Sequence, residues 1–262
     1  MKQRLLTRKE PEKNLLVRIK RSGGRNNQGR ITLRFRGGGA RKLYRQVTFN
    51  EEPFQAPGKV SAIEYDPNRN AFLMLVEYAD GSKRYHLSPH GIVVGDSIVC
   101  DEKTEVKTGN RMKLKHIPLG TMVHNVELAP GGGGKIVRSA GTGARVDAQE
   151  GKFTHLALPS SEIRKVLNEC FASIGTVSNP EFMYQIAGKA GSTRLKGRRP
   201  RQRGSAMNPA DHPHGGGEGR ASIGLKYPKT PWGKHALGVK TRGRKWQDTF
   251  IIQRRIKKKR EK

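Results

Sequence analysis

The sequence predicts a mainly β protein, in which a near-neutral body of two small antiparallel barrels lies between two basic, glycine-rich arms. Three observations lead there. The positive charge is confined to the ends, short strand-forming runs recur through the middle, and the ends lack any core-building periodicity.

Charge comes first because it limits the function classes. The 262 residues carry 52 Lys+Arg against 22 Asp+Glu, a formal net charge of +30. Residues 1–46 hold a net +13 and residues 186–262 a net +18, which leaves −1 for 47–185. Solubility of a small domain needs a charge magnitude of only roughly 2–8, so the excess points to a polyanionic partner. Nucleic acid is the expected one. An anionic membrane is not, because the densest apolar run, Phe72 to Val76, falls far short of a spanning segment. The start, MKQRLLTRKEPEKN, has no apolar stretch of the secretory type, and Glu10 and Glu12 argue against a transit peptide. Cys100 and Cys170 stand apart without metal-binding spacing. Two half-buried thiols in a reducing compartment are expected, with neither a disulfide framework nor a zinc ribbon.

The body elements follow in chain order. Val60 to Tyr65 and Ala71 to Tyr78 are strand candidates joined at Asp66-Pro67-Asn68. Asp80-Gly81 turns the chain into Lys83 to Leu87, and Gly95-Asp96 precedes Ser97 to Cys100. Beyond Pro118-Leu119-Gly120 come Thr121 to Leu128, Lys135 to Arg138, Ala144 to Asp147, Phe153 to Leu158, Glu162 to Leu167 and Ala172 to Val177. Asn179 to Ala187 is expected to add one short helix. The 139 residues of 47–185 suit two small barrels better than one, and an apolar content of 34% implies a modest buried core.

In the arms, SGGRNNQGRITLRFRGGGARK (22–42) and GKAGSTRLKGRRPRQRG (188–204) resemble segments that order on a charged partner. Arginine brings a bidentate fork for phosphate, and glycine lets backbone amides approach a sugar-phosphate chain. Ordinary solvated tails are the plainer alternative, but the placed Pro231-Trp232-Gly233 speaks against them.

No catalytic frame survives inspection. The runs Gly37–Gly39, Gly131–Gly134 and Gly215–Gly217 complete no nucleotide-binding signature, and Ile136 follows Lys135 where a P-loop needs Ser or Thr. MNPADHPHGGGEGR (207–220) gathers Asp211, His212, His214 and Glu218, a set that metal chemistry also uses. Pro213 and the glycines forbid the regular helix that aligns ligands, and the cationic flanks repel a divalent ion. A histidine in a glycine loop beside RNA is the better expectation. His86, His90, His116, His124, His155 and His235 show no spacing logic. Neither metal, cofactor nor enzyme activity is expected.

SGGRNNQGRIT, RGGGARKLYR, IEYDPNRNA, IPLGTMVHNVEL, VRSAGT, GKAGSTR, MNPADHPHGGGEGR and TPWGKHALG occur in order from Ser22 onward. With these motifs the chain closely resembles the universal large-subunit ribosomal protein L-two family, bacterial or chloroplast type. The resemblance implies an OB-like barrel (47–115) followed by an SH3-like barrel (116–187), with irregular basic extensions at 1–46 and 188–262. It implies binding to large-subunit rRNA, a place near the peptidyl-transferase centre and a role in subunit association. Neighbouring ribosomal proteins, tRNA and the small subunit are further implied partners, and bacterial cytoplasm or an organelle the location. The family's rRNA-critical arginines fall on Arg69 and Arg138, and its functionally sensitive histidine on His212. The opening segment departs from the family pattern, and Leu33-Arg34-Phe35-Arg36 replaces a motif that carries a histidine.

The rRNA-binding set expected from charge and resemblance is Arg25, Arg30, Arg34, Arg36, Arg41, Arg69, Arg138, Arg194, Lys196, Arg198, Arg199, Arg201, Arg203, His212, His214, Arg220, Arg242 and Arg244. A hydrolase or transferase built on the His212 loop, and a nonspecific nucleic-acid compactor, are the competing classes. The glycines around His212 are expected to give it no rigid support for acid–base work.

Overall fold

The computed structural model describes residues 6–7, 10–49, 54–243 and 245–255. Among the described residues, fifteen strands make the protein mainly β. They are β1 (Leu16–Val17), β2 (Tyr44–Arg45), β3 (Phe54–Tyr65), β4 (Phe72–Glu77), β5 (Lys83–Leu87), β6 (Ser97–Cys100) and β7 (Arg111–Lys113). The second half adds β8 (Met122–His124), β9 (Val126–Glu127), β10 (Gly134–Ile136), β11 (Ala144–Glu150), β12 (Phe153–Ala157), β13 (Ile163–Leu167), β14 (Phe171–Ile174) and β15 (Ile251–Gln253). One sheet orders eleven of them β15-β13-β12-β11-β8-β14-β7-β6-β3-β4-β5. All its pairings are antiparallel except β6 with β7, which meet in parallel at Cys100 and Arg111.

The chain divides into two compact units. The first, residues 1–19, 42–186 and 247–262, contains the sheet and its cores. On β4 the side chains alternate, so Met74 and Val76 join one cluster while Leu73 and Leu75 join another. The partner strand β3 should place Val60 and Ala62 on one face. A register shift between them instead sends Val60 and Ile63 to the Met74 cluster and Ala62 to the other. Val177, from the second half, closes the Leu73 cluster. A separate core gathers Met112, Leu114, Ile117, Val123, Val146, Leu156 and Ala172. Met112 and Leu114 therefore pack with the second half, although they lie within 47–115.

Most expected strands are present, and the differences have local causes. Thr121 to Leu128 is two strands rather than one, because Asn125 between them takes φ 49°. The short helix at Asn179 to Ala187 is a single 3-10 turn, Pro180–Tyr184. Both cysteines are buried rather than half-buried, Cys170 completely, and burial pushes the Cys170 thiol up to about 12.

The second unit comprises residues 20–41 and 187–246 and carries a formal net charge of +20. It is irregular over most of its length, with one short helix, α1 (Ala190–Leu195). The two arms, read from sequence as separate, pair here. Arg36 bridges Arg198, Gly37 N–H donates to Gly197 O at 3.1 Å, Arg199 N–H to Phe35 O at 3.0 Å, and Ala40 N–H to Leu195 O at 3.0 Å. At Gly39 (φ +94°) a Cβ would stand 2.9 Å from both Gly197 N and Leu195 O, so only glycine fits this crossing.

Candidate nucleic-acid interface

In the body, the turn after β3 sets the first arginine. Asp66 Oδ1 accepts the Asn68 N–H at 2.8 Å, and Asp66 O accepts the Arg69 N–H at 3.3 Å. That turn folds Arg69 back so that its guanidinium donates to Asp66 and, at 2.8 Å, to the Tyr44 hydroxyl. Asp66 is fully buried, and its charge is answered by Arg69 and, at 4.0 Å, by Arg45. The Arg69 guanidinium carbon also lies 5.1 Å from the Tyr44 ring centre and 5.5 Å from that of Phe49.

The second arginine reaches the same ring from the other half of the body. Val137, just before it, takes φ 54°. Arg138 then donates to Gly134 O at 3.1 Å and places its guanidinium carbon 4.6 Å from the Phe49 ring centre. The Gly134 N–H donates to Phe49 O at 2.9 Å, which fastens the ring's own backbone to the same loop. Arg69 and Arg138 thus converge on one aromatic side chain. Arg138 is exposed and Arg69 partly buried.

Behind this pair is a buried polar network. Glu64 accepts from the Tyr85 hydroxyl at 2.9 Å and from Arg45 at 3.4 Å, while the Glu12 N–H donates to the Tyr85 oxygen at 3.0 Å. Burial, with the neighbouring Glu64 carboxylate, pushes the Tyr85 hydroxyl up to about 12, so it stays protonated and donating.

In the second unit most of the expected cations face outward. Arg25, Arg30, Arg36, Arg41, Lys196, Arg198, Arg199, Arg201, Arg203, Arg220 and Arg242 are exposed, and Arg34 and Arg194 are partly buried. Arg244 lies outside the described residues. Some of them also hold the arm in shape. Arg25 donates to Gly29 O at 2.8 Å, and Asn26 Oδ1 accepts the N–H groups of Gln28 and Arg30. Arg21, absent from the expected set, donates to the carbonyls of Gly38, Gly39 and Ala40.

His212 differs from expectation. Its imidazole is buried and held. The His214 N–H donates to its Nδ1 at 3.0 Å, and its backbone bonds to Asn208 O and Gly215 N. Gly204 lies so close to the ring that a Cβ there would stand 2.5 Å from Cε1. The glycines therefore give the ring rigid support by letting the backbone close around it. His214 Nε2 accepts the Lys229 N–H at 2.8 Å, and the two imidazole centres are 4.7 Å apart. Burial, then His214 and Arg34, hold the His212 pKa below its ordinary value. With Nδ1 accepting, the neutral ring carries its proton on Nε2.

Of the expected set, the fold brings Arg69 and Arg138 together in one unit, and Arg34, His212 and His214 together in the other. Phe49, Tyr44 and Asp66 were not anticipated. Phe49 gives no sequence signal beyond being a lone aromatic where the basic arm meets the body.

Two family matches bear on this interface. Residues 12–100 match "Ribosomal Proteins L2, RNA binding N-terminal domain", and residues 107–233 match "Ribosomal Proteins L2, C-terminal domain". The first covers Phe49 and the turn that carries Arg69, and the second covers Arg138 and the His212 loop. With both domains present in order over most of its length, the chain belongs to the ribosomal protein L2 family, the rRNA-binding structural proteins of the large ribosomal subunit.

Proposed function

We propose that the body grips large-subunit rRNA through Arg69 and Arg138 acting as one site, while the paired arms neutralise surrounding phosphates. The convergence of both guanidiniums on Phe49, in a body whose net charge is near zero, carries this reading. A near-neutral surface gains little from bulk attraction, so its hold on RNA depends on placed donors. The arm unit, at +20, supplies the nonspecific share.

The remaining assignments extend the same reading. The His212 loop stands near the peptidyl-transferase centre and supports its architecture, and the protein assists subunit association and contacts tRNA and neighbouring ribosomal proteins. The held, neutral imidazole of His212 favours a donor to RNA over a general base, since Nδ1 is already accepting within the chain. A bacterial ribosome is the setting we favour, with an organellar one as the alternative. The RNA-dependent catalytic role of His212 is the second reading, favoured by the fixed seat of its ring, since acid–base work needs a rigidly held group.

The test compares the full chain with two variants, Arg138→Ala and the triple Arg198→Ala/Arg199→Ala/Arg201→Ala, on large-subunit rRNA and on duplex DNA at ~150 mM salt. Arm neutralisation is expected to weaken both complexes, and Arg138→Ala the rRNA complex alone. Equal losses on both nucleic acids from Arg138→Ala would overturn the reading. For the His212 loop, His212→Gln particles are expected to assemble and to form peptide bonds slowly; a normal rate removes the assignment.

A further inference from the structure

A second kind of RNA contact is built into the arm unit. Trp232 is 73% exposed, although an indole normally buries most of its apolar face. The Arg34 guanidinium carbon lies 5.7 Å from its ring centre and 5.3 Å from that of Phe35, with Arg201 5.9 Å from Phe35. Phe35 holds this place in the left-handed region, φ 61°, which is costly for an aromatic residue. Arg34 also lines a cleft with Gln202, Ala206, Met207, Asn208 and Asp211. The side-chain amide of Gln202 donates to Ala206 O at 2.7 Å, which keeps it at the cleft wall.

An exposed indole and a phenyl ring, each near the planar Arg34 cation that itself lines the polar cleft, suit a flat, polar, uncharged ring better than a phosphate alone. Phosphate needs donors, which the unit offers throughout. The indole face adds nothing to phosphate binding and a great deal to base stacking. Asp211 is unusual in a unit of net +20, because a carboxylate repels phosphate. It accepts hydrogen bonds only, so it selects a base edge that donates two together, as the N1–H and N2–H of guanine do.

We propose that the cleft between Arg34 and Asp211 receives one unstacked RNA base, guanine by its donor pattern, stacked against Trp232. The inference rests on the RNA-binding reading of the arm unit. It names a base contact where that reading has only phosphates.

The test uses the full chain and three short RNA hairpins, identical except for a single bulged guanosine, a bulged adenosine or no bulge. At ~150 mM salt the guanosine bulge is expected to bind about tenfold tighter than the paired hairpin, the range of one stacked base. That advantage should disappear in Trp232→Ala and largely persist in Trp232→Phe. In a Trp246→Phe background, Trp232 emission should be quenched by the bulged hairpin and not by the paired one. Asp211→Asn should bring the guanosine and adenosine bulges level. Equal binding of bulged and paired hairpins overturns the base site and leaves phosphate binding standing. An unchanged advantage in Trp232→Ala overturns the stacking partner. The absence of any salt-sensitive binding overturns both readings.

Discussion

Arg69 and Arg138 come from opposite halves of the body and bring their guanidinium carbons to 5.5 and 4.6 Å from the centre of a single ring, Phe49. Their surroundings are unequal. Arg69 answers a fully buried carboxylate, Asp66, whereas Arg138 makes one bond to a carbonyl and faces solvent.

That inequality separates the two in stability. Arg69→Ala leaves Asp66 short of its main partner and is expected to cost about 2–3 kcal/mol. Arg138→Ala removes a bond at the surface and an exposed cation–π contact, and is expected to cost under ~1 kcal/mol. Urea unfolding of the full chain reads both; equal losses would contradict the difference in their surroundings.

On the proposed reading Phe49 acts by positioning the two arginines that converge on its ring. Phe49→Leu keeps an apolar filler but removes the ring face, so weakened rRNA affinity is expected, with Phe49→Tyr restoring most of it. Combined with Arg138→Ala, Phe49→Leu should cost less than the two single losses added together. Full additivity would show that Phe49 works independently of Arg138.

Tyr85→Phe removes a protonated donor from Glu64, whose Oε1 already has no hydrogen-bond partner among the described residues. A loss of about 1–3 kcal/mol is expected on denaturant unfolding, the usual cost of a stranded buried acceptor. An unchanged midpoint would mean that solvent reaches Glu64.

How much of this was readable in the sequence depends on where each signal lies. β5 and β6 stand where Lys83 to Leu87 and Ser97 to Cys100 were expected, because turn residues bound them on the chain itself. β7 escaped because Arg111 is fully buried, its charge matched by Glu127 at 3.0 Å, a pairing that local pattern does not reveal. β15 lies in a stretch read as arm and finds its partner only in β13. The pairing of Gly37 with Gly197 is likewise a long-range fact, invisible to composition. The motifs singled out Arg69, Arg138 and His212, but their convergence on Phe49 and the rigid seat of His212 are visible only in the fold.

The His212 ring predicts a pH response. Its folded pKa is depressed, so the neutral form is the one the fold favours. The stabilisation is complete above the unfolded value near 6.5 and is lost as pH falls through the lower folded value. Histidine NMR on the full chain should show His212 titrating below the ordinary histidine value near 6.5, and Gly204→Ala, which crowds the ring, should move it toward that value. A titration at or above the ordinary histidine value in the unaltered chain contradicts the seat.

Gly39→Ala tests the joining of the arms. Its Cβ has no room beside Gly197, so the crossing should open and both arms become protease-sensitive while the body's unfolding midpoint holds. Unchanged protection of the arms would mean that the crossing does not hold them.

A near-neutral body that binds rRNA through placed arginines should loosen its hold when one of them is removed. The affinity of the full-length Arg138→Ala chain for large-subunit rRNA at ~150 mM salt reads this out. A loss of about tenfold is expected, with the unfolding midpoint nearly unchanged, as for one charge-assisted contact. Full affinity with an intact fold would contradict it.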